Sequence, residues 1–192
     1  MIARTHDVAA ITLLAAVVLS QPLHSVTIAT AVTALIANQL GGIAPDIDQP
    51  TAPFWRNLPV GGIFGKFIGK MMGGHRFLSH SLVGLVLFGV AAELLLSLLH
   101  PIMPKVDTEL VWWAFMIGVF SHLIMDSFTK EGVPWLLPIP IKFGIPPLRR
   151  LRVTTGKAVE HFVVLPVLIG LGVWLFAANY TVISVFIDSL RQ

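Results

Sequence analysis

Long apolar segments, separated by loops that hold nearly all of the charge, constrain this chain more than any other feature. There are five, at about residues 8–20, 26–44, 82–100, 110–128 and 158–187. A helix needs about 20 apolar residues to cross the hydrocarbon core of a bilayer. Only 12% of the residues are charged, about half of what a soluble domain carries. The pattern predicts an all-α fold: a single domain over residues 1–192 that forms an integral membrane helical bundle of about five spans.

The first and last apolar segments leave alternatives open. The first is short for a span, and Arg4 followed by an apolar run ending at Ser20 also resembles a secretory signal peptide. The last is too long for one upright span. A break at Asn179 and Tyr180 would leave a short tail helix at the interface, and a sixth span is the alternative.

Two long connections have compositions that favour the membrane surface. Within residues 61–72, apolar side chains share one helical face and two lysines lie on another, which predicts an interfacial amphipathic helix. Residues 129–157 contain five prolines, which exclude a regular helix. Apolar, non-helical backbone at a membrane is typical of a re-entrant or interfacial loop that packs against protein.

Many ionisable side chains lie at segment ends that share one membrane face. If successive spans alternate in direction, the start of the first, third and fifth and the end of the second and fourth meet on one side. These positions hold His6, Asp46, Asp48, His75, His80, His122, Asp126, Glu160 and His161. Of the 13 lysines and arginines, eleven lie on this side and two on the other. The positive-inside rule therefore predicts that the cluster and the N-terminus face the cytoplasm.

The clustered residue types are typical of a divalent metal site. His122 and Asp126 are four residues apart on a helix and share a face, which makes a two-ligand clamp. The chain has no cysteine, and imidazole with carboxylate ligands favours zinc, manganese or iron. The number of ligands favours two metal ions, an arrangement that can clamp a phosphoester. The candidate ligands are His6, Asp46, Asp48, His75, His80, His122, Asp126 and Glu160.

Each of these features also has a purely structural interpretation. His122 and Asp126 could form a buried ion pair between helices, and Asp46 and Asp48 could shape a turn. To explain why so many ionisable residues are predicted on one membrane face, all of these structural interpretations would have to be true at once. Glu93, midway along the third segment, is separate from the cluster. It could be a neutral acid, an interhelical hydrogen-bond donor or part of a relay.

Four motifs carry a resemblance to a known family: PDIDQP, HRFLSHS, GVFSHLIMDSFTKEGVPWLLP and KAVEHF. From His6 to about His161 the chain resembles the LexA-regulated, inner-membrane-associated, metal-dependent hydrolase family (YdjM-like proteins). The family's usual PDxDHP has Gln49 here in place of its histidine, so an essential ligand is not expected at that position. The family is in turn distantly similar to zinc-dependent phospholipase C and single-strand nucleases.

The resemblance implies a site of two or three zinc ions that hydrolyses a phosphodiester or phosphomonoester at the bacterial inner (cytoplasmic) membrane. By this resemblance the metal ligands are His6, Asp46, His75 or His80, His122, Asp126 and Glu160. The N-terminal amine ligand of the phospholipases is not expected to have a counterpart, because Met1 precedes His6 by several residues.

The expected function is membrane-bound, metal-dependent hydrolysis of a phosphoester in a lipid or lipid-linked substrate, at the cytoplasmic interface. Two zinc ions are the expected cofactor, with manganese or iron as alternatives. Asp48 or Glu160 would be the general base, and Arg76 with Arg149 or Arg150 would bind phosphate oxygens. Membrane lipids are the expected partners. A nucleic acid substrate is disfavoured because the site lies at membrane level, although the basic residues would attract a nucleotide.

Two other functions stay open as alternatives. A metal- or proton-coupled transporter would use Glu93, His122 and Asp126 as a relay, but the ionisable groups gather at one face instead of lining a path across the bilayer. A non-catalytic metal-binding membrane scaffold would differ from an enzyme by having no open coordination position.

Overall fold

The computed structural model describes residues 1–21, 26–52, 55, 58–74, 76–139 and 141–189. These residues form seven α-helices and no named strand, which confirms the all-α prediction. The helices are α1 (Ala3–Leu19), α2 (Ile28–Ile43), α3 (Gly61–Met71), α4 (Leu82–Leu99), α5 (Thr108–Ser127), α6 (Leu165–Ala178) and α7 (Tyr180–Ser189).

Four helical stretches in the described part of the chain are long and apolar enough to cross a membrane. They are Ile28–Asp48, Leu82–Ile102, Thr108–Ser127 and Glu160–Ala178. The first predicted span is helical as α1, but with 17 residues it is shorter than these four. The structure therefore confirms a membrane helical bundle and supports four full spans, with α1 as a shorter helix packed against α2, α5 and α6.

Close contact between α2 and α5 brings the two halves of the site together. Gly118 of α5 lies so near α2 that a Cβ there would collide with the carbonyl oxygen of Asn38. Gly41 of α2 lies equally close to the carbonyl oxygen of Phe115. Small residues let membrane helices approach backbone to backbone. The Asn38 side-chain amide adds a 3.0 Å hydrogen bond to the carbonyl oxygen of Ala114.

The segments that flank the spans also follow the sequence predictions. α3 occupies the segment predicted as an amphipathic helix. The described residues of the 129–157 loop, all but residue 140, contain no α-helix. Two isolated bridges, Thr129 to Val153 and Val133 to Phe143, hold this loop against itself. The backbone N–H of Val153 donates to the carbonyl oxygen of Phe128 at the end of α5. The last apolar segment begins with a π-helical turn at Glu160–Val164 and breaks at Asn179, as predicted.

Candidate metal centre

His122 lies on α5 with one ring nitrogen held by a backbone carbonyl. Its Nδ1 is 2.7 Å from the carbonyl oxygen of Gly42 on α2. Because a carbonyl oxygen only accepts, Nδ1 carries the proton and donates it. In the neutral ring, Nε2 then keeps its lone pair, and this buried atom has no hydrogen-bond partner. A metal-ligating histidine is commonly oriented through its other nitrogen in this way.

His80 is held in the same manner by a chain of two side chains. The Ser79 hydroxyl donates to a carboxylate oxygen of Asp48. Its oxygen is therefore the acceptor for His80 Nδ1, which lies 2.9 Å away. Asp48 also accepts a 2.9 Å hydrogen bond from the backbone N–H of Arg76. Asp48 thus orients Ser79, and Ser79 fixes His80 with its Nε2 lone pair facing the other ligands.

Two overlapping groups of potential ligands meet at the end of α5. His6, His122 and Asp126 form one, and Asp46, His80 and His122 form the other; in each, the ligand atoms lie within 4.8 Å of one another. The measured separations are 3.4 Å from His6 Nε2 to Asp126, 3.6 Å from His122 Nε2 to Asp46, and 3.7 Å from His80 Nε2 to Asp46. Tetrahedral zinc with bonds of about 2.0–2.2 Å places its ligand atoms about 3.3–3.6 Å apart.

Two histidines of the first ligand group, His6 and His122, stack their rings on each other. His6, at the start of α1, stacks on His122 with ring centroids 3.7 Å apart and planes inclined by 7°. Both ring nitrogens of His6 are buried without a hydrogen-bond partner. A buried polar atom without a partner is costly, and a bound cation would relieve that cost. The donor set and its spacing therefore fit a divalent metal.

Comparison with known proteins identifies the family. A family model described as "YdjM inner membrane protein" matches residues 1–189. The chain belongs to this family. With its four candidate spans, it is a bacterial inner-membrane protein.

One relative of this YdjM-family chain is described as "Uncharacterized protein YvsG" of Bacillus subtilis (strain 168). It is 27% identical over 125 residues, which are 65% of this chain. The chain spans 66% of that relative's length. No solved structure matches the chain.

Two cationic groups contact Asp126 in this YdjM-family protein. Arg76 Nη2 lies 2.5 Å from one carboxylate oxygen, and the Met1 amine donates to the other. Arg76 is 6% exposed, and its Nη1 donates to Thr129 at 3.0 Å. The resemblance to phospholipases raised an N-terminal amine ligand, which was not expected here because Met1 precedes His6 by several residues. The structure corrects the expected distance, because tertiary contacts bring the Met1 amine to Asp126, one of the candidate ligands.

Glu160 lies beside the site and anchors the backbone at the start of the chain. One carboxylate oxygen accepts a hydrogen bond from the backbone N–H of Ile2, and the other accepts from Gly156, each at 2.7 Å. Both oxygens are therefore engaged with amides, and Glu160 belongs to neither ligand group among the described residues. Its predicted role as a ligand or base stays a prediction.

The two arginines predicted to bind phosphate from the 129–157 loop lie outside the ligand groups. Arg149 and Arg150 are exposed on the 129–157 loop, and Arg149 Nε donates to the carbonyl oxygen of Lys130 at 3.1 Å. Their predicted role in binding phosphate stays a prediction. His75 lies outside the described residues. His80, the other histidine of HRFLSHS, lies with its Nε2 3.7 Å from Asp46.

Proposed function

We propose that this YdjM-family protein is a membrane-bound, metal-dependent hydrolase that cleaves a phosphoester of a lipid or lipid-linked substrate at the cytoplasmic interface. The observation that carries the proposal is the convergence of three histidines and two aspartates, from four separate parts of the chain, in two ligand groups. A lone buried ion pair needs no such set. The five residues offer ligands for two neighbouring metal ions, of which His122 Nε2 can bind only one, because Nδ1 donates to the Gly42 carbonyl oxygen. The donor types favour zinc, with manganese or iron as alternatives.

A divalent metal bound by these residues would polarise a phosphoryl oxygen and activate water for attack. The residues of the chain supply the ligands and their orientation. Gly42 and Ser79 orient the rings of His122 and His80 through Nδ1, with Nε2 toward the other candidate ligands, and Asp48 orients Ser79. We assign Asp48 this orienting role, because its Oδ2 accepts hydrogen bonds from the Ser79 hydroxyl and from the backbone N–H of Arg76.

Substrate access is proposed from the side of Asp46. Its side chain is 23% exposed, whereas His80, His122 and Asp126 are fully buried. Arg76 contacts Asp126 through Nη2, and its buried Nε has no hydrogen-bond partner. A guanidinium donates two parallel hydrogen bonds to phosphate oxygens, so Arg76 is the proposed contact for the substrate phosphate.

A lipid substrate is favoured by the surroundings of the site. Helix α3 follows the Asp46–Asp48 turn in the chain and presents Ile63 and Phe67 to the outside, 70% and 67% exposed. Such a face is typical of a helix lying in the membrane interface. A phosphoester at headgroup depth would therefore reach Asp46 without leaving the bilayer surface.

The first experiment measures metal content in the detergent-purified protein by elemental mass spectrometry. We expect about two zinc, manganese or iron ions per chain in the wild type, and their loss in Asp126→Ala and His122→Asn. Asparagine keeps a donor near the position of Nδ1 for the Gly42 carbonyl and removes Nε2, so it separates metal loss from misfolding. His161→Ala is the matched control, because His161 is exposed and should leave the metal content unchanged.

The second measurement is phosphate or headgroup release from phospholipid vesicles by the metal-loaded wild type and the same variants. Hydrolysis that is lost together with the metal supports the proposal. Stoichiometric metal without hydrolysis would support the scaffold alternative and overturn the enzymatic part. A folded wild type that holds no metal even after reloading would overturn the metal site.

A further inference from the structure

A glutamate lies exposed near the middle of an otherwise apolar span. Helix α4 begins at Leu82, and Glu93 follows halfway along the Leu82–Ile102 span, whose mean hydropathy is 2.5. The Glu93 side chain is exposed on the surface that would face lipid. Among the residues that the structure describes, no hydrogen bond or ion pair to Glu93 is found. A carboxyl group facing hydrocarbon is costly, and such groups ordinarily pair.

Glu93 shares one exposed face of the Leu82–Ile102 span with two valines and two further polar residues. At 3.6 residues per turn, positions spaced four and three apart return to one face. The residues on this face, which we call the α4 seam, are Val86, Val90, Glu93, Ser97 and His100. They fall within an arc of about 80°, and all are exposed. Alternating four- and three-residue spacing is the pattern by which two helices pack along a shared seam.

A groove beside the α4 seam gives a neighbouring helix somewhere to lie. It has a volume of about 440 Å³ and runs between α4 and α5, lined by Val86, Gly89, Glu93, Trp112 and Met116 among others. Trp112 Nε1 donates to the carbonyl oxygen of Gly89 at 2.8 Å, which holds the groove wall in place. Gly89 has no side chain to fill the space, as at many contacts between membrane helices.

We propose that the α4 seam is the interface of a parallel homodimer, in which the Glu93 carboxyl groups of two copies hydrogen-bond to each other. Copies of one chain insert in the membrane with the same topology, so a two-fold axis along the membrane normal brings identical residues together at equal depth. A second copy therefore supplies a polar partner at the depth of Glu93. A protonated carboxyl group both donates and accepts, so it complements itself, and Ser97 meets Ser97 in the same way.

The test uses disulfide cross-linking in native membranes, which is clean because the chain has no cysteine. Single cysteines at seam positions 86, 90 and 97 are compared with cysteines at 87, 95 and 98 on other exposed faces of α4. Positions 90 and 95 are matched in exposure, since the Val90 side chain is 53% and the Leu95 side chain is 56% exposed. After copper–phenanthroline oxidation, we expect a covalent dimer for Val86→Cys, Val90→Cys and Ser97→Cys and little for Leu87→Cys, Leu95→Cys and Leu98→Cys.

The part played by Glu93 is tested in the Val90→Cys background. Glu93→Gln keeps a group that donates and accepts, and should preserve cross-linking. Glu93→Leu removes the hydrogen bond and should weaken dimer association about three- to thirtyfold. Equal cross-linking on all faces, or none at any seam position, would overturn the proposal. Adducts whose mass differs from twice that of the chain would assign the seam to another membrane protein instead. None of these outcomes depends on the metal site, which lies at the other end of α5.

Discussion

At the scale of single residues, the candidate centre is defined by hydrogen bonds on the far side of its histidine rings. Gly42 accepts from His122, and Ser79 accepts from His80 while it donates to Asp48. Each contact places the proton on Nδ1 and leaves Nε2 for a metal. The partner of a ligating histidine thus contributes to metal affinity although it never touches the ion.

This arrangement predicts that Ser79→Ala lowers metal affinity about ten- to hundredfold. The substitution removes the acceptor that orients His80 but leaves every proposed ligand in place. The measurement is zinc retention against a graded series of chelators. Ser184→Ala serves as the control, since Ser184 is partly exposed on α7, away from the candidate ligands, and donates to the Thr181 carbonyl oxygen. Equal affinity of Ser79→Ala and wild type would show that His80 is not held for metal binding by Ser79.

At the scale of elements, helix α3 packs through its glycines near the turn that carries Asp46 and Asp48. Gly61, Gly65 and Gly69 recur every four residues and are buried, and a Cβ at Gly69 would collide with the carbonyl oxygen of Asp48. The opposite face carries the exposed apolar side chains. Because the α3 backbone at Gly69 lies against the carbonyl group of Asp48, the position of the helix and that of Asp48 are coupled.

We therefore expect Gly69→Ala to lower the stability and the metal content of the protein. The added methyl group must push α3 away from Asp48, at a cost of about 1–3 kcal/mol. Gly62→Ala on the same helix is the matched control, because nothing lies within 4 Å of a Cβ there and alanine favours the helix. Thermal unfolding in detergent, followed together with bound metal, distinguishes the two variants. Identical behaviour of both would contradict the coupling.

At the scale of the whole molecule, the site gathers residues from helix ends that the sequence predicts on one membrane face. His6 begins α1, Asp46 follows α2, His80 precedes α4, and His122 and Asp126 end α5. Their meeting in two ligand groups requires these helices to alternate in direction. The excess of basic residues on the same face predicts that this face is cytoplasmic.

Cysteine labelling tests that orientation. Lys105→Cys lies in the exposed connection between α4 and α5, and Lys142→Cys lies in the exposed 129–157 loop on the side of the site. A membrane-impermeant maleimide applied to cells with a permeabilised outer membrane should label Lys105→Cys. Lys142→Cys should react only after the inner membrane is broken. The opposite pattern would place the site on the outer face of the membrane.

Much of the fold follows from local patterns. The apolar segments, the amphipathic α3, the non-helical proline-rich loop and the break at Asn179 all agree with the structure, because helix formation in a membrane depends mainly on run length and on breaking residues. For a segment close to the minimum length of a membrane span, the sequence alone predicts less well whether its helix crosses the membrane. Thus α1, with 17 residues, is shorter than the four helices long enough to span the membrane.

The sequence by itself determined an all-α membrane bundle and the face on which the histidines and aspartates gather, since both follow from where apolar runs start and end. Only the tertiary structure decided which of those residues share a candidate metal site and which have other hydrogen-bond partners. His122 joins both ligand groups, Asp48 turns to Ser79, Glu160 binds the amides of Ile2 and Gly156, and the Met1 amine reaches Asp126. The physical reason is that side-chain partners depend on the close approach of α2 to α5 and on how the loops fold back, and these distances are set by packing between elements far apart in the chain.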